Sequence, residues 1–456
     1  MTTQRTPHRP QRTQRTPGSR DRGGPQRAAS TTRETLRIES LAAGGAGIAR
    51  LQSGAAVFVA RTAAGELVEA EVSATTKPAT ARVLRVVEPS PERTVPSCPY
   101  VVACGGCDWM HLSARAQEAG HAEIVRSAIA HGVSAGVALP ELRVHPAPAQ
   151  LAYRTRARLF LKAERRGGVR IGYRAPGSNE LTAVDACVVL DPAIASLLGE
   201  LAEVLAGAIG DGDAPIARGL GGRPVLSITW RGEIATSTWA ALDAKVARGA
   251  WAGARVVLQD AGQPATFGDP RPVLAGADGA PLVIAAGGFA QPSDAGATQF
   301  ARRIDELARI EAKPRPRHVV ELFAGSGTLS LLLAAGAASF AAVELDPEAC
   351  VANRENLAAR SLDGRVIAGD ADAFAIPPNT TVVVLDPPRA GAPGAVKAIA
   401  ASHARVVVYG SCDPATLARD LGVLTRGRLA ITHLETFELF PQTSHVETVV
   451  RLERVR

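Results

Sequence analysis

At 456 residues the chain has room for about three domains of roughly 150 residues each, and its 46% hydrophobic and 21% charged content is ordinary for a globular protein. No apolar run approaches the roughly 18 residues a membrane-spanning helix needs, and no apolar core between charged flanks marks a secretory signal, so a cytoplasmic location and no membrane partner are expected. The net charge of +7 favours a polyanionic partner such as nucleic acid, while six cysteines in so long a chain point to metal binding or catalysis rather than to a disulfide framework.

Residues 1–32 are rich in Thr, Gln, Arg, Pro and Gly and nearly devoid of apolar side chains. Such a segment cannot bury enough surface to fold alone and reads as a disordered basic tail, with a loose RNA-binding arm as the alternative. From 33 to 90 short alternating runs are broken by glycine: Leu36 and Ile38, a turn at Gly44-Gly45-Ala46-Gly47, then Val57–Val59, Leu67–Val72 and Ala81–Val87. Strands at this spacing predict a small, OB-like β-barrel. The GxGIAR turn, the Val-Phe-Val strand and the run from Gly65 to Val72 are similar to the TRAM domain, a small RNA-binding barrel, with Ala64 where that family often has Pro. A purely structural barrel is the alternative.

Prolines 89, 91, 96 and 99 mark a linker into a middle α+β region, 91–285, that opens with Cys98-x5-Cys104-Gly105-Gly106-Cys107 and holds a remote Cys187. A tight thiolate loop plus one distant cysteine suits a four-ligand metal site, and the two glycines allow the backbone to close around a bulky core. Four thiolates suit tetrahedral zinc as well. Spacing alone leaves both open.

From 286 to 456 apolar strands alternate with helices: His318–Phe323, Phe340–Glu344, Thr381–Asp386 and Val406–Tyr409. That pattern predicts a doubly wound, Rossmann-like α/β domain with a mostly parallel sheet. The turn Phe323-Ala324-Gly325-Ser326-Gly327-Thr328 follows the first strand, where backbone N–H groups can approach a ligand. Glu344, Asp370 and Asp386 each end a later strand; an acid at the end of the second can accept both ribose hydroxyls. Asp386-Pro387-Pro388-Arg389 is foreign to dehydrogenases, so the set describes S-adenosylmethionine better than a nicotinamide cofactor. Arg389 stands where amine methyltransferases carry an aromatic, which argues against an exocyclic amine as acceptor. Cys412 lies in a loop between a strand and a helix, where the helix N-terminus is expected to lower its pKa.

Together, the cysteine pattern with His111, the sequence from Asp386 to Gly391, the run from Ser411 to Asp420, and Phe440-Pro441 followed by Thr443, His445 and Glu447 resemble the iron–sulfur branch of the RNA uracil-5-methyltransferases. The resemblance covers nearly the whole chain except the tail. It implies a [4Fe–4S] cluster on Cys98, Cys104, Cys107 and Cys187, with zinc the less favoured metal. It implies S-adenosylmethionine contacts from Gln291, Phe323, Thr328, Glu344, Asp370 and Asp386, with Cys412 as nucleophile and Glu447 as base. The chain departs from the family at Met110 (usually Gln), Ser293 (Asn), Thr328 (Asn in some relatives) and Asp413 (commonly Asn). The implied reaction methylates C5 of a uridine in structured RNA, rRNA or tRNA, by a monomer. C5 is a poor nucleophile, and a thiolate added at C6 makes the ring an enolate that can take a methyl group. A carboxylate in a dry pocket can then remove the C5 proton. His445 is a rival base that the pattern makes an orienting group, and Cys350 is expected to be structural. Two alternatives are an RNA cytosine-5-methyltransferase, opposed by the lack of a cysteine after Pro387-Pro388, and a catalytically silent RNA-binding protein, opposed by intact Cys412 and Glu447.

Overall fold

The computed structural model describes residues 31–73, 77–259, 261–309 and 316–455. The basic tail expected over 1–32 lies outside them except for Thr31 and Thr32, which open the first strand, Thr31–Arg37. Among the described residues no helix is long and apolar enough to cross a membrane.

Six strands between Thr31 and Glu88 form one sheet. Leu67–Ser73 alternates strictly between buried and half-buried positions, the period-two signature of a strand with one face on a core. Leu36, Ile38, Val57, Val59, Val68, Ala70 and Val72 make that core. Gly47 is required by close approach, since a Cβ there would lie 2.2 Å from Thr62 Oγ1 and 2.8 Å from Ile38. A second, seven-stranded sheet spans Arg156 to Gly268 and packs on Trp230, Trp251, Leu201 and Leu242.

The third sheet carries the candidate site. Its eight strands are β1 (Leu142–His145), β2 (His318–Leu322), β3 (Ser339–Glu344), β4 (Arg365–Ala368), β5 (Val382–Leu385), β6 (Val406–Ser411), β7 (Leu429–Phe437) and β8 (Glu447–Arg454). Their spatial order is β4-β3-β2-β5-β6-β8-β7-β1. Strands β2 to β6 pair in parallel, as their unbroken apolar runs lead one to expect. Val319, Val382, Val384, Val406 and Val408 point into one core, while Val320, Val383, Leu385, Val407 and Tyr409 point into the other. Both faces are therefore covered, which is the doubly wound arrangement. Strand β8 inserts antiparallel between β6 and β7.

The region expected as a single middle unit, 91–285, is divided in space. Helix α1 (Ala114–Gly132) contributes Val125 and Ile129 to the second core of the third sheet, and β1 pairs with β7 as the edge strand of that sheet. Helix α2 (Asp294–Leu307) and the hairpin Val273–Ala275/Pro281–Val283 pack into the first core through Phe300, Leu274 and Leu282. A four-residue strand has no periodicity that names its sheet, so only its pairing partner could assign it.

Candidate active site

The loops at the carboxyl edge of β2 to β6 gather most of the expected residues, the position where open α/β sheets bind ligands. After β2 the chain turns through Phe323 at φ +61, Gly325 at φ +54 and Gly327 at φ +97. A left-handed phenylalanine is uncommon and marks a turn fixed by its surroundings. A Cβ on Gly327 would lie 2.7 Å from Asn353 Oδ1. At the end of β3, Glu344 accepts the Gly325 N–H at 2.8 Å on one oxygen and the Asp346 N–H at 2.8 Å on the other. The acid expected to meet a ribose is thus locked to the glycine turn. Thr328 is half-buried at the end of that turn. Asp370, exposed beyond β4, caps a short turn by accepting the Asp372 N–H at 2.9 Å.

Gln291 lies in the segment before α2. It is buried, and its Oε1 has no hydrogen-bond partner among the described residues. A buried amide oxygen left unpaired costs free energy unless a ligand satisfies it. The segment is fastened to the second sheet, because Asp294 takes Arg156, Arg218 and the Thr155 hydroxyl, and Thr155 N–H donates to the Pro292 carbonyl at 2.9 Å. Ser293, where the family has Asn, caps α2 by accepting the Gly296 N–H at 3.2 Å.

The reaction centre forms where β6 and β8 pair. Ser411 is in register with Thr448; Cys412 follows Ser411 and Glu447 precedes Thr448, and the Glu447 charge acts on the Cys412 thiol. Glu447 is 2% exposed, and its Oε2 lacks a partner among the described residues. Burial, with the Asp386 charge adding to it, pushes its carboxyl well above the usual range. Asp386 is raised as well, by burial. Gly410 makes room for it, since a Cβ there would lie 3.1 Å from Asp386 Oδ1.

The thiol differs from expectation. Burial, then the charges of Glu447 and Asp386, push Cys412 up to about 11, against the pull of Arg389. Cys412 lies two residues before α4 (Pro414–Arg426, with α3 being Pro347–Ala358). Asp413 caps that helix and accepts the Ala415 and Thr416 N–H groups at 3.0 and 2.8 Å. Arg389, exposed after Pro388, donates to the His445 ring at 3.0 Å. His445 is thereby engaged by a cation and its pKa is lowered, burial being the larger cause and Arg389 the next.

One acid under the site escaped the sequence reading. Glu321 sits in the middle of β2, fully buried, and accepts the Ser330 hydroxyl at 2.6 Å; Asn353 Nδ2 donates to the same hydroxyl at 3.0 Å. Burial pushes Glu321 up to about 8. A glutamate inside an otherwise apolar strand was the available signal. Cys350 is buried in α3 behind Glu344, remote in role from the reaction centre.

Cys98, Cys104, Cys107 and Cys187 line one pocket, with Tyr100, Tyr173, Met110 and Arg154. The Gly106 N–H points at Cys104 Sγ at 3.4 Å, and the Tyr173 hydroxyl at Cys187 Sγ at 3.8 Å. Gly105 is forced by a neighbouring strand, because a Cβ there would lie 2.8 Å from the Arg174 carbonyl oxygen. Among the described residues no three Cys, His, Asp or Glu side chains stand as ligands of one metal ion.

Comparison with known proteins follows the same lines. The model of the tRNA (Uracil-5-)-methyltransferase family matches residues 372–455. The chain is 33% identical over 466 aligned residues to the 23S rRNA (uracil(1939)-C(5))-methyltransferase RlmD of Chromohalobacter salexigens, which covers 98% of this chain and 94% of that protein. The protein of the same name from Alkalilimnicola ehrlichii is 34% identical over 394 residues, covering 82% of this chain and 86% of that one. The crystal structure of Pyrococcus abyssi tRNA (uracil-54, C5)-methyltransferase in complex with S-adenosyl-L-homocysteine matches with a TM-score of 0.69 and 21% identity, covering 92% of this chain and 99% of that chain. At that identity the likeness bears on the fold alone.

Proposed function

The chain belongs to the RNA uracil-C5-methyltransferase family, an S-adenosylmethionine-dependent enzyme of RNA, and from that premise we propose that it works through a covalent adduct between Cys412 and C6 of the target uridine, with Glu447 removing the C5 proton. S-adenosylmethionine supplies the methyl group. Adding the Cys412 sulfur to C6 makes C5 nucleophilic, and C5 then attacks the sulfonium methyl. The thiol is neutral near pH 7, so its proton must leave as the ring is attacked; Asp386, whose charge acts on the thiol, takes it, which leaves Glu447 free for the C5 proton, and Asp386 returns it to the sulfur when the adduct breaks. After methylation Glu447 takes the C5 proton, and the electron pair released expels the sulfur from C6. The observation that carries this reading is the strand register that brings Cys412 to the same end of the β6–β8 pairing as Glu447, with its buried, partnerless carboxyl oxygen.

For the methyl donor we assign Gln291, Phe323, Thr328, Glu344, Asp370 and Asp386. The support is the gathering of the last five at one sheet edge and the unpaired Gln291 oxygen. RNA docking is assigned to the N-terminal sheet, by its similarity to the TRAM domain, and to the cysteine pocket. We assign that pocket's four cysteines as the ligands of a [4Fe–4S] cluster, on the spacing they share with the family and on their lining one pocket. Zinc, which four thiolates also suit, is the rival metal. A cluster there would brace the loop and take no part in methyl transfer, which moves no net electrons. The Chromohalobacter salexigens relative, aligned over 98% of this chain, is named for 23S rRNA, so a uridine of the large-subunit rRNA is the proposed target, with tRNA as the second.

The test is RNA carrying 5-fluorouridine. The wild-type chain should form a denaturation-stable adduct joined at Cys412, and Cys412→Ala should keep S-adenosylmethionine binding yet form no adduct and transfer no methyl group. Methyl transfer by that variant would sink the proposal. Mapping 5-methyluridine in tRNA and rRNA from cells with and without the gene identifies the target.

A further inference from the structure

The proposed base, Glu447, follows the loop 438–446, and that loop is held largely by residues far away in the chain, between Asp108 and Tyr153. Trp109 N–H donates to the Gln442 carbonyl at 3.0 Å, and Gln442 N–H donates to Gln117 Oε1 at 2.7 Å. His121 bridges Glu438, at 2.8 Å from Nδ1, and the Thr443 carbonyl, at 3.1 Å from Nε2. Tyr153 OH donates to the Pro441 carbonyl at 3.0 Å. Nearest to the reaction centre, both oxygens of Asp108 accept from Ser444: its N–H at 2.7 Å and its hydroxyl at 2.6 Å. Ser444 precedes His445 and lies three residues before Glu447. Asp108 directly follows Cys107. The turn of the N-terminal sheet closes over the same point, since Trp109 Nε1 donates to the Gly45 carbonyl at 3.0 Å and a Cβ on Gly45 would lie 2.3 Å from Asp108 Oδ2.

We infer that Asp108 is a positioning residue for the reaction: acting through Ser444, it fixes the turn that delivers Glu447 to the C5 proton. The inference rests on the reading of Glu447 as the base. A doubly hydrogen-bonded carboxylate holds a backbone N–H and a side-chain O–H in one orientation, and charge-assisted bonds are the strong ones. Between Ser444 and β8 only His445 and Val446 intervene, so freedom gained at Ser444 passes directly to Glu447. Adduct formation by Cys412, which follows β6, does not depend on that turn.

The experiment separates the two steps on the full-length protein. Total RNA from cells lacking the gene, labelled with 5-tritiated uridine, reports loss of the C5 hydrogen as released tritium. The same RNA carrying 5-fluorouridine reports adduct formation, which needs no C5 proton. Asp108→Ala should release tritium about 10- to 100-fold more slowly, the size expected of a misplaced catalytic group. It should still form the fluorouridine adduct within about twofold of wild type, with KM for S-adenosylmethionine similarly unchanged. Asp108→Asn, which keeps an acceptor for the Ser444 N–H, should recover most of the loss. Ser444→Ala should lose less than Asp108→Ala, and the double variant should be no worse than Asp108→Ala, because the two residues act as one unit. Wild-type tritium release by Asp108→Ala, or parallel loss of adduct and tritium release, would overturn the inference. Glu447→Gln runs alongside: if it releases tritium normally the base assignment fails, whereas a defect in it alone fails only the role of Asp108.

Discussion

Ser411 and Thr448 are the last registered pair between β6 and β8, which brings Cys412, the residue after β6, and Glu447, the first of β8, to one end of that pairing, where the Glu447 charge acts on the thiol. The two functional groups are 35 residues apart in the chain, yet neither needs a long flexible side chain to reach the other. Backbone hydrogen bonds set their separation, so the geometry exists before any RNA arrives.

That arrangement gives a first prediction. In Glu447→Gln the sulfur can still add to C6 and the methyl group can still transfer, but the C5 proton has no acceptor. The methylated adduct with ordinary uridine RNA should accumulate as a protein–RNA band on a denaturing gel, with turnover down by about 10²- to 10⁴-fold. Multiple turnovers at the wild-type rate would rule out the assigned role.

A second prediction concerns pH. The folded pKa of Glu321 is about 8, far above the roughly 4.3 of an unfolded chain. A raised folded pKa means the native state holds the proton more tightly, so the associated stability is fully present below about pH 4 and lost as pH rises through about 8. In that window the slope is at most about 1.4 kcal/mol per pH unit for a single group. Glu321→Gln preserves an acceptor for Ser330 and removes the titration. Its melting temperature should therefore fall less steeply than that of wild type between pH 5 and 8, measured without ligand. Parallel curves would contradict the prediction.

The cysteine pocket yields a third. Protein purified without oxygen should be brown and contain iron and acid-labile sulfide, and Cys107→Ser should bleach it. Colourless protein with one zinc per chain would decide for the rival metal.

Gly105 supplies a fourth. An alanine there would press a methyl group to 2.8 Å from the Arg174 carbonyl oxygen, and backbone cannot yield as a side-chain tip can. Gly105→Ala should cost about 1–3 kcal/mol of stability in chemical denaturation and lower the metal content. Gly54→Ala makes the comparison: its site is open, so only the positive φ of 82° opposes it, and metal content should be unchanged.

The sequence alone determined what is local to a few adjacent residues. The apolar runs of β5 and β6 named a parallel sheet, Gly325 and Gly327 named a ligand turn, and Glu344 and Asp386 named themselves by ending strands. Tertiary structure decided what depends on distant segments meeting. Leu142–His145 became an edge strand of the third sheet because β7 offered it a partner, and the thiol of Cys412 is raised because it is buried and two acids from other strands act on it. The link from Asp108 to Ser444 spans most of the chain, and nothing in either segment announces the other. Propensity and spacing act over a turn or a strand, whereas electrostatics and packing act through space, where separation along the chain sets no limit.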